Sequence, residues 1–250
     1  MFAASVQTFA EPPVTAGIVI AHAAEMVTAP VRARALPFSD PPPSVTDASA
    51  RMLPTEADAP TQAIRAARIL HVSGISQAIS SSATDLVLAA IDIARQANVL
   101  VSYDTNLRLK LWPLRRARAI THEAMRGADI ALPSLDDATQ LTGQSAPDAI
   151  LDFYLGLGAR VVALKLGKDG SAVATPERRE RVAPFRVDAV DATGAGDAFD
   201  GAFLAEFLTR GDPFAAARFA NVAAALSTLG YGAVAPLPRR ADVVAAMAKG

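Results

Sequence analysis

From about residue 61 onward, short apolar runs rich in β-branched residues alternate with longer amphipathic stretches. That alternation restricts this part of the chain to an α/β fold assembled from βαβ units. The runs at 69–73, 99–103, 130–132, 161–165 and 171–174 read as strands. Helices are expected near 82–97, 115–126, 135–142, 146–156, 195–209, 213–228 and 240–248. In open parallel sheets ligands bind beyond the carboxyl ends of the strands, so the chemistry is expected on the loops that follow them. At 250 residues and 51% hydrophobic, the chain can fill a full core as one large domain, or a domain with a small appendage.

Residues 1–60 break the rhythm. Nine of the 17 prolines fall there, including Pro12-Pro13 and Pro41-Pro42-Pro43, and only residues 15–20 read as a strand. Proline gives no amide hydrogen to a sheet ladder and breaks helix interiors, so residues 21–60 are expected to be mostly irregular. The chain therefore divides into a proline-rich segment, 1–60, and a regular domain, 61–250. A net charge of −1, from 24 basic and 25 acidic residues, excludes a broad electrostatic attraction for nucleic acid or an anionic membrane. The absence of cysteine excludes disulfides and thiolate metal sites and fits a reducing cytoplasm. No basic n-region precedes an apolar block, and no apolar stretch reaches the roughly 18 residues that span a bilayer, so a cytoplasmic protein is expected.

The most informative stretch is 187–203. Phe199, Phe203 and Phe207 recur at helical spacing beside Ala198 and Ala202, which places the start of a buried helix near Ala195. Thr193-Gly194-Ala195-Gly196 is then its N-terminus, where small residues let the backbone approach a ligand and the exposed amides suit a phosphate. A carboxylate at Asp197 would repel that phosphate, a cost that makes sense if Asp197 takes a proton from an attacking hydroxyl. The plainer alternative is a helix cap, with Asp191 or Thr193 satisfying the free amides. The whole string Asp191-Ala-Thr-Gly-Ala-Gly-Asp197-Ala-Phe199 resembles the second signature of the ribokinase-like (PfkB) carbohydrate kinases, Asp-Thr-x-Gly-Ala-Gly-Asp-x-Phe, with Ala192 in place of the usual threonine. The resemblance implies a three-layer ribokinase-like fold with a mostly parallel central sheet. It also implies that Asp197 is the catalytic base, that the amides of Gly194, Ala195 and Gly196 form the anion hole, and that ATP and Mg²⁺ are used.

Four further segments fit that resemblance, and each has a plainer reading beside it. Asp104, Asn106 and Arg108 crowd the end of a strand just before Leu109-Lys-Leu-Trp112, where Arg108 suits a carboxylate or phosphate and Asn106 a hydroxyl. A salt-bridged loop with Trp112 in the core is the alternative. This segment is similar to 2-keto-3-deoxygluconate kinases, which implies a sugar-acid acceptor held by these three residues. Ser134 and Asp137 stand where the family has Asn-x-x-Glu, implying a nucleotide contact and, through water, a magnesium ligand; Ser134 also suits an ordinary helix N-cap. Lys165, Gly167 and Gly170 resemble the family's nucleotide-binding hairpin, or form a plain hairpin with solvent-facing lysines. Asn221 and Gly232 fall in the helix and loop that flank adenine in the family, with Thr193 on the same nucleotide side. Asn221, polar in an apolar helix, is either a nucleotide contact or a surface position. His71 reads as a satisfied core or edge histidine, and the Ser73-Gly74-Ile75 loop is implied at the edge of the substrate cleft.

The resemblance covers roughly 61–250 and fails at the front, where the family's early Gly-Gly-x-x-x-Asn segment has no counterpart. Residues 15–20 look like a remnant of a lid strand, and residues 48–54 regain the family's register. These features raise the expectation of a coding frame shifted between about Ile20 and Ala48, with the true N-terminal segment missing. The expected activity is ATP-dependent phosphorylation of a small-molecule sugar or sugar acid on a primary hydroxyl, with 2-keto-3-deoxygluconate first and fructose or ribose as neutral alternatives. A homo-oligomer is compatible with it, since lid strands often pair subunits in the family. A catalytically impaired nucleotide-binding paralogue is the second reading. A dinucleotide-dependent oxidoreductase is disfavoured, because the Gly194/Gly196 turn lies late in the chain and lacks the third glycine and the following acid.

Overall fold

The computed structural model describes residues 18–21 and 59–249. Its centre is a seven-stranded sheet whose spatial order follows the chain. The strands are β1 (Ile18–Ala21), β2 (Ile69–Ser73), β3 (Leu100–Asp104), β4 (Ile130–Ala131), β5 (Val161–Lys165), β6 (Ser171–Ala174) and β7 (Arg179–Val182). The first five run parallel, and β6 and β7 return antiparallel through the hairpin at the far edge. The helices are α1 (Thr61–Ala66), α2 (Gly74–Ala78), α3 (Ser81–Gln96), α4 (Leu114–Arg126), α5 (Leu135–Thr142), α6 (Pro147–Leu157), α7 (Ala195–Arg210), α8 (Pro213–Ser227) and α9 (Arg240–Met247).

Alternation along the strands builds the three layers. Leu70, Val72, Val101, Tyr103, Val162 and Leu164 point to one face and pack with side chains of α1, α3, α4 and α6. Ile69, Ile130, Val161, Ala163 and Val173 point to the other and pack with Phe199, Phe203, Phe214 and Phe219 of α7 and α8, and with Val243 of α9. Strands apolar on both faces are what a helix-covered parallel sheet requires. A smaller apolar cluster of Ala78, Leu107, Trp112, Ala117 and Leu141 supports the loop after β3.

All five strands expected after residue 61 are present, and the seven expected helices match within about two residues at each end, the usual uncertainty of helix boundaries. α1 and α2 were not anticipated, being one to two turns long. β7 was missed because Arg179-Glu-Arg-Val182 carries three charges and buries only its last residue. The strand expected at 15–20 occurs as β1, parallel to β2 at the edge of the main sheet. The remaining expectations for the proline-rich segment, including the resumed register at 48–54, lie outside the described residues. Among the described residues, no helix is long and apolar enough to cross a membrane.

Candidate active site

The helix α7 begins where its apolar period predicted, with Gly194 as the residue before its first turn. Gly194 has φ 78°, and a Cβ there would lie 2.7 Å from the Cβ of Ala233, so both its conformation and its surroundings call for glycine. Asp191 holds this turn from outside the helix. Its Oδ1 accepts from the amide and hydroxyl of Thr193 at 2.9 and 2.6 Å, and its Oδ2 accepts from the Gly232 amide at 2.9 Å. These bonds, the Thr193 hydroxyl first, hold the Asp191 carboxyl below its ordinary range. The turn is thereby tied to the loop that follows α8, and the amides of Val190 and Asp191 donate to the Thr228 carbonyl at 2.7 and 3.1 Å.

The N-cap of α7 is Gly194, which has no side chain to cap with. Asp191 and Thr193, the capping candidates, bond to each other and to Gly232. An uncapped, glycine-flanked N-terminus presents amides and a positive dipole end to an anion. Asp197 is exposed in the first turn of this helix.

One turn further on, Asp200 is buried, and it organises the floor of the site. Lys165, at the end of β5, donates from Nζ to Asp200 Oδ1 and Oδ2 at 2.9 and 2.8 Å and to Asp104 Oδ1 at 3.0 Å. Side-chain exposure is 12% for Lys165, 7% for Asp104 and 3% for Asp200, so the three charged groups meet inside the protein. Burial alone would weaken proton binding at Lys165, but the fields and hydrogen bonds of the two carboxylates outweigh it and hold the ammonium above its ordinary range. A single ammonium does not fully offset two buried carboxylates. Burial therefore pushes the Asp200 carboxyl well above the usual carboxylate range; Lys165 opposes the rise, while Asp104 and Asp197 add to it.

The structure gives several of the expected ligand-binding residues partners within the protein. Lys165 is not a solvent-facing lysine, its Nζ being taken up by Asp104 and Asp200; Lys168, one residue past Gly167, is the exposed lysine of the hairpin. Asp104 is not a free acceptor contact but the partner of Lys165. Asn221 is buried, and its Nδ2 donates to the carbonyls of Val182 and Ala183 at 3.3 and 3.0 Å, pinning the end of β7 to α8. Asp137 Oδ2 accepts from Thr105 Oγ1 at 3.1 Å and from the Leu107 amide at 3.0 Å, so this carboxylate shapes the loop after β3. Ser134 is the N-cap of α5, accepting from the Asp137 amide at 3.2 Å. Gly167 and Gly170 have φ 59° and 85°, and a Cβ on Gly170 would lie 2.2 Å from the Val182 carbonyl oxygen, so backbone geometry accounts for both.

The loop after β3 carries the remaining acceptor-side candidates. Asn106 is half-buried in the loop, Arg108 is exposed, and Trp112 is buried beneath them. Arg108 Nη1 donates to the neighbouring Leu107 carbonyl at 3.0 Å, an arrangement that leaves most of its guanidinium outward. Gly74 lies against this loop so closely that a Cβ there would meet the Thr105 carbonyl oxygen at 2.1 Å. His71 pairs its Nδ1 with Ser102 Oγ at 3.1 Å, as a satisfied core histidine should. Asp200 was not anticipated; its only signal was an acid between Phe199 and Phe203, on a helix otherwise apolar on that side.

Residues 44–240 match the family described as pfkB family carbohydrate kinase. The chain belongs to this family. The match begins upstream of the expected residue 61 and takes in residues 48–54. Over 147 residues the chain is 37% identical to a 2-dehydro-3-deoxygluconokinase from Bacillus subtilis (strain 168), an alignment covering 58% of this chain and 45% of the relative. Over 211 residues it is 35% identical to fructokinase-2 from Zea mays, covering 80% of this chain and 62% of the relative. Among solved structures it resembles a fructokinase from Vibrio cholerae O395 in a fructose, ADP and calcium ion bound form, with TM-score 0.69 and 30% identity. That likeness covers 76% of this chain and 63% of the other. The chain thus spans about half to two thirds of the length of the relatives it matches, and the family match takes in β2 to β7 and the α7 turn.

Proposed function

We propose that this chain is the phosphoryl-transfer part of an ATP-dependent kinase acting on a primary hydroxyl of a sugar or sugar acid. The observation that carries this reading is the uncapped N-terminus of α7 with Asp197 exposed in its first turn. The ATP phosphates lie against the amides of Gly194, Ala195 and Gly196. Asp197 accepts the acceptor's hydroxyl proton as that oxygen bonds to the γ-phosphorus, and the bond from phosphorus to the departing ADP oxygen breaks. Positioned amides and the helix dipole stabilise charge on the transferring group, which is where such reactions draw most of their acceleration. The exposed Leu229, Tyr231 and Val234, on the loop that Asp191 fastens to the glycine turn, offer an apolar surface for the adenosine. Magnesium arrives as part of the MgATP substrate and supplies charge neutralisation. No group of three ligating side chains exists among the described residues, and a water-mediated contact to Asp137 is as much as Mg²⁺ commonly asks of a protein.

A sugar acid is the favoured acceptor class, because the outward guanidinium of Arg108 suits a carboxylate held bidentately. The test is ADP release over 2-keto-3-deoxygluconate, fructose, ribose and nucleosides, with the parent and Arg108→Ala. Loss of a charge-assisted pair should lower kcat/KM for the acid by about tenfold or more while sparing neutral sugars. Equal losses on both acceptor types would refute the sugar-acid reading. A chain that binds ATP but releases no ADP over the whole panel would select a non-catalytic nucleotide-binding protein, a reading favoured only by the partial span of the relatives.

A further inference from the structure

The buried ion triad has no role in the chemistry just described, yet it joins the three elements that carry it. Asp104 terminates β3 and opens the loop bearing Asn106 and Arg108. Lys165 terminates β5 and opens the hairpin, and Asp200 lies one turn beyond Asp197 on α7. The contacts bridge 61 residues between Asp104 and Lys165 and 35 between Lys165 and Asp200. The ammonium also lies beneath the glycine turn, since a Cβ built on Gly196 would come 3.8 Å from Nζ.

Besides the Asp191 bonds to the preceding turn, the first turns of α7 are anchored by apolar packing of Phe199, Ala202 and Phe203. Apolar contacts stabilise but are non-directional, whereas an ammonium bound to both oxygens of one carboxylate and one oxygen of another fixes distance and orientation together. Buried ion pairs are poor sources of net stability compared with apolar packing of the same volume. A triad at this point is better explained by what it orients.

We propose that Asp104, Lys165 and Asp200 are positioning residues for Asp197: their triad clamps the opening turns of α7 to the ends of β3 and β5, setting the base and the anion-binding amides in register with the acceptor loop. This rests on the kinase reading above only in naming Asp197 as the base. The titratable groups around the clamp are Asp197, whose field reaches Asp200, and the buried Tyr103 and Tyr154, which feel Asp104, besides the three members themselves.

Lys165→Met tests it in the full chain through hydrogen–deuterium exchange, calorimetric titration with ADP, and kinetics. Amides of the opening turns of α7 should exchange about tenfold faster or more while those of α8 and α9 keep their parent rates, as expected of a local loss of restraint. ADP binding should persist. With an active parent, kcat should fall about a hundredfold, the scale of a small misplacement of reacting groups, with KM for ATP little changed. Unchanged exchange at α7, a uniform rise throughout the molecule, or loss of ADP binding with kcat retained would each overturn the proposal; the last would make Lys165 a nucleotide ligand. If Lys165→Met does not fold, Asp200→Asn against Asp200→Ala decides. The amide still accepts from Lys165, so Asp200→Asn should keep α7 protected and Asp200→Ala should not, and equal behaviour of the two counts against the clamp. A parent without turnover on any acceptor would sink the kinase reading, while the exchange experiment would still judge the clamp.

Discussion

The consecutive helices α7 and α8, of 16 and 15 residues, begin in opposite ways. At α8, Asp212 accepts from the amides of Phe214 and Ala215 at 2.8 and 3.2 Å, and Pro213 occupies the first helical position, where a missing amide hydrogen costs nothing. At α7 the N-cap is a glycine with no side chain for this service, and the preceding carboxylate, Asp191, bonds to Thr193 and Gly232. A cap contributes about 1 kcal/mol, so an open start is a stability forgone, and it is forgone where the proposed reaction puts a phosphate. Asp197 and Asp200 repeat the contrast within a single turn. The first is exposed, where the proposed reaction needs a base; the second is buried and fixed to Lys165.

Four changes would break or sharpen this comparison. Asp197→Asn has the largest expected effect: ADP release falls about 10²–10⁴-fold, the usual worth of a general base, while thermal unfolding stays at the parent's midpoint. Turnover near the parent level would remove the base assignment. Gly194→Ala must hold a positive φ and displace Ala233, so denaturant unfolding should show a loss of about 1–3 kcal/mol, accompanied by weaker ADP binding in calorimetry. Asp212→Ala, by contrast, should lower stability by about 1 kcal/mol and leave ADP affinity intact, since the proposed phosphate site lies at the α7 start and not at α8. A drop in ADP affinity there would erase the distinction between the two helix starts. The smallest effect concerns acid. The Asp191 carboxyl is held below 3.8 in the folded protein, so its contribution is fully present above that pH and disappears as the pH falls through the lowered folded value. Asp191→Asn should therefore differ from the parent in unfolding midpoint near neutrality, with the gap closing in strong acid.

The α7 start was legible because its two signals are local: an apolar repeat of Phe199, Phe203 and Phe207, and a glycine pair just before it. The loop after β3 was legible as a cluster, yet the roles within it were not. Asp104 and Arg108 are four residues apart and equally charged in magnitude, and nothing along the chain says that one turns inward to a lysine while the other stays outside. Ser134 and Asp137 left a cap and a metal contact both open; the structure gives Ser134 the cap and turns Asp137 toward Thr105 and Leu107. Asn221 likewise had no spacing partner, because the carbonyls it holds belong to residues about 40 positions earlier.

By itself the sequence determined the α/β alternation, the helix that begins at Ala195 and the placing of Asp197 in its first turn. Each follows from side-chain periodicity and backbone freedom over a few neighbouring residues. Only the tertiary structure decided that Lys165 joins Asp104 to Asp200, and that Asp191 serves the Gly232 loop instead of the helix beside it. Those pairings depend on which strand ends the parallel sheet brings side by side and on the burial that makes opposite charges seek each other, and neither is written in any local stretch of the chain.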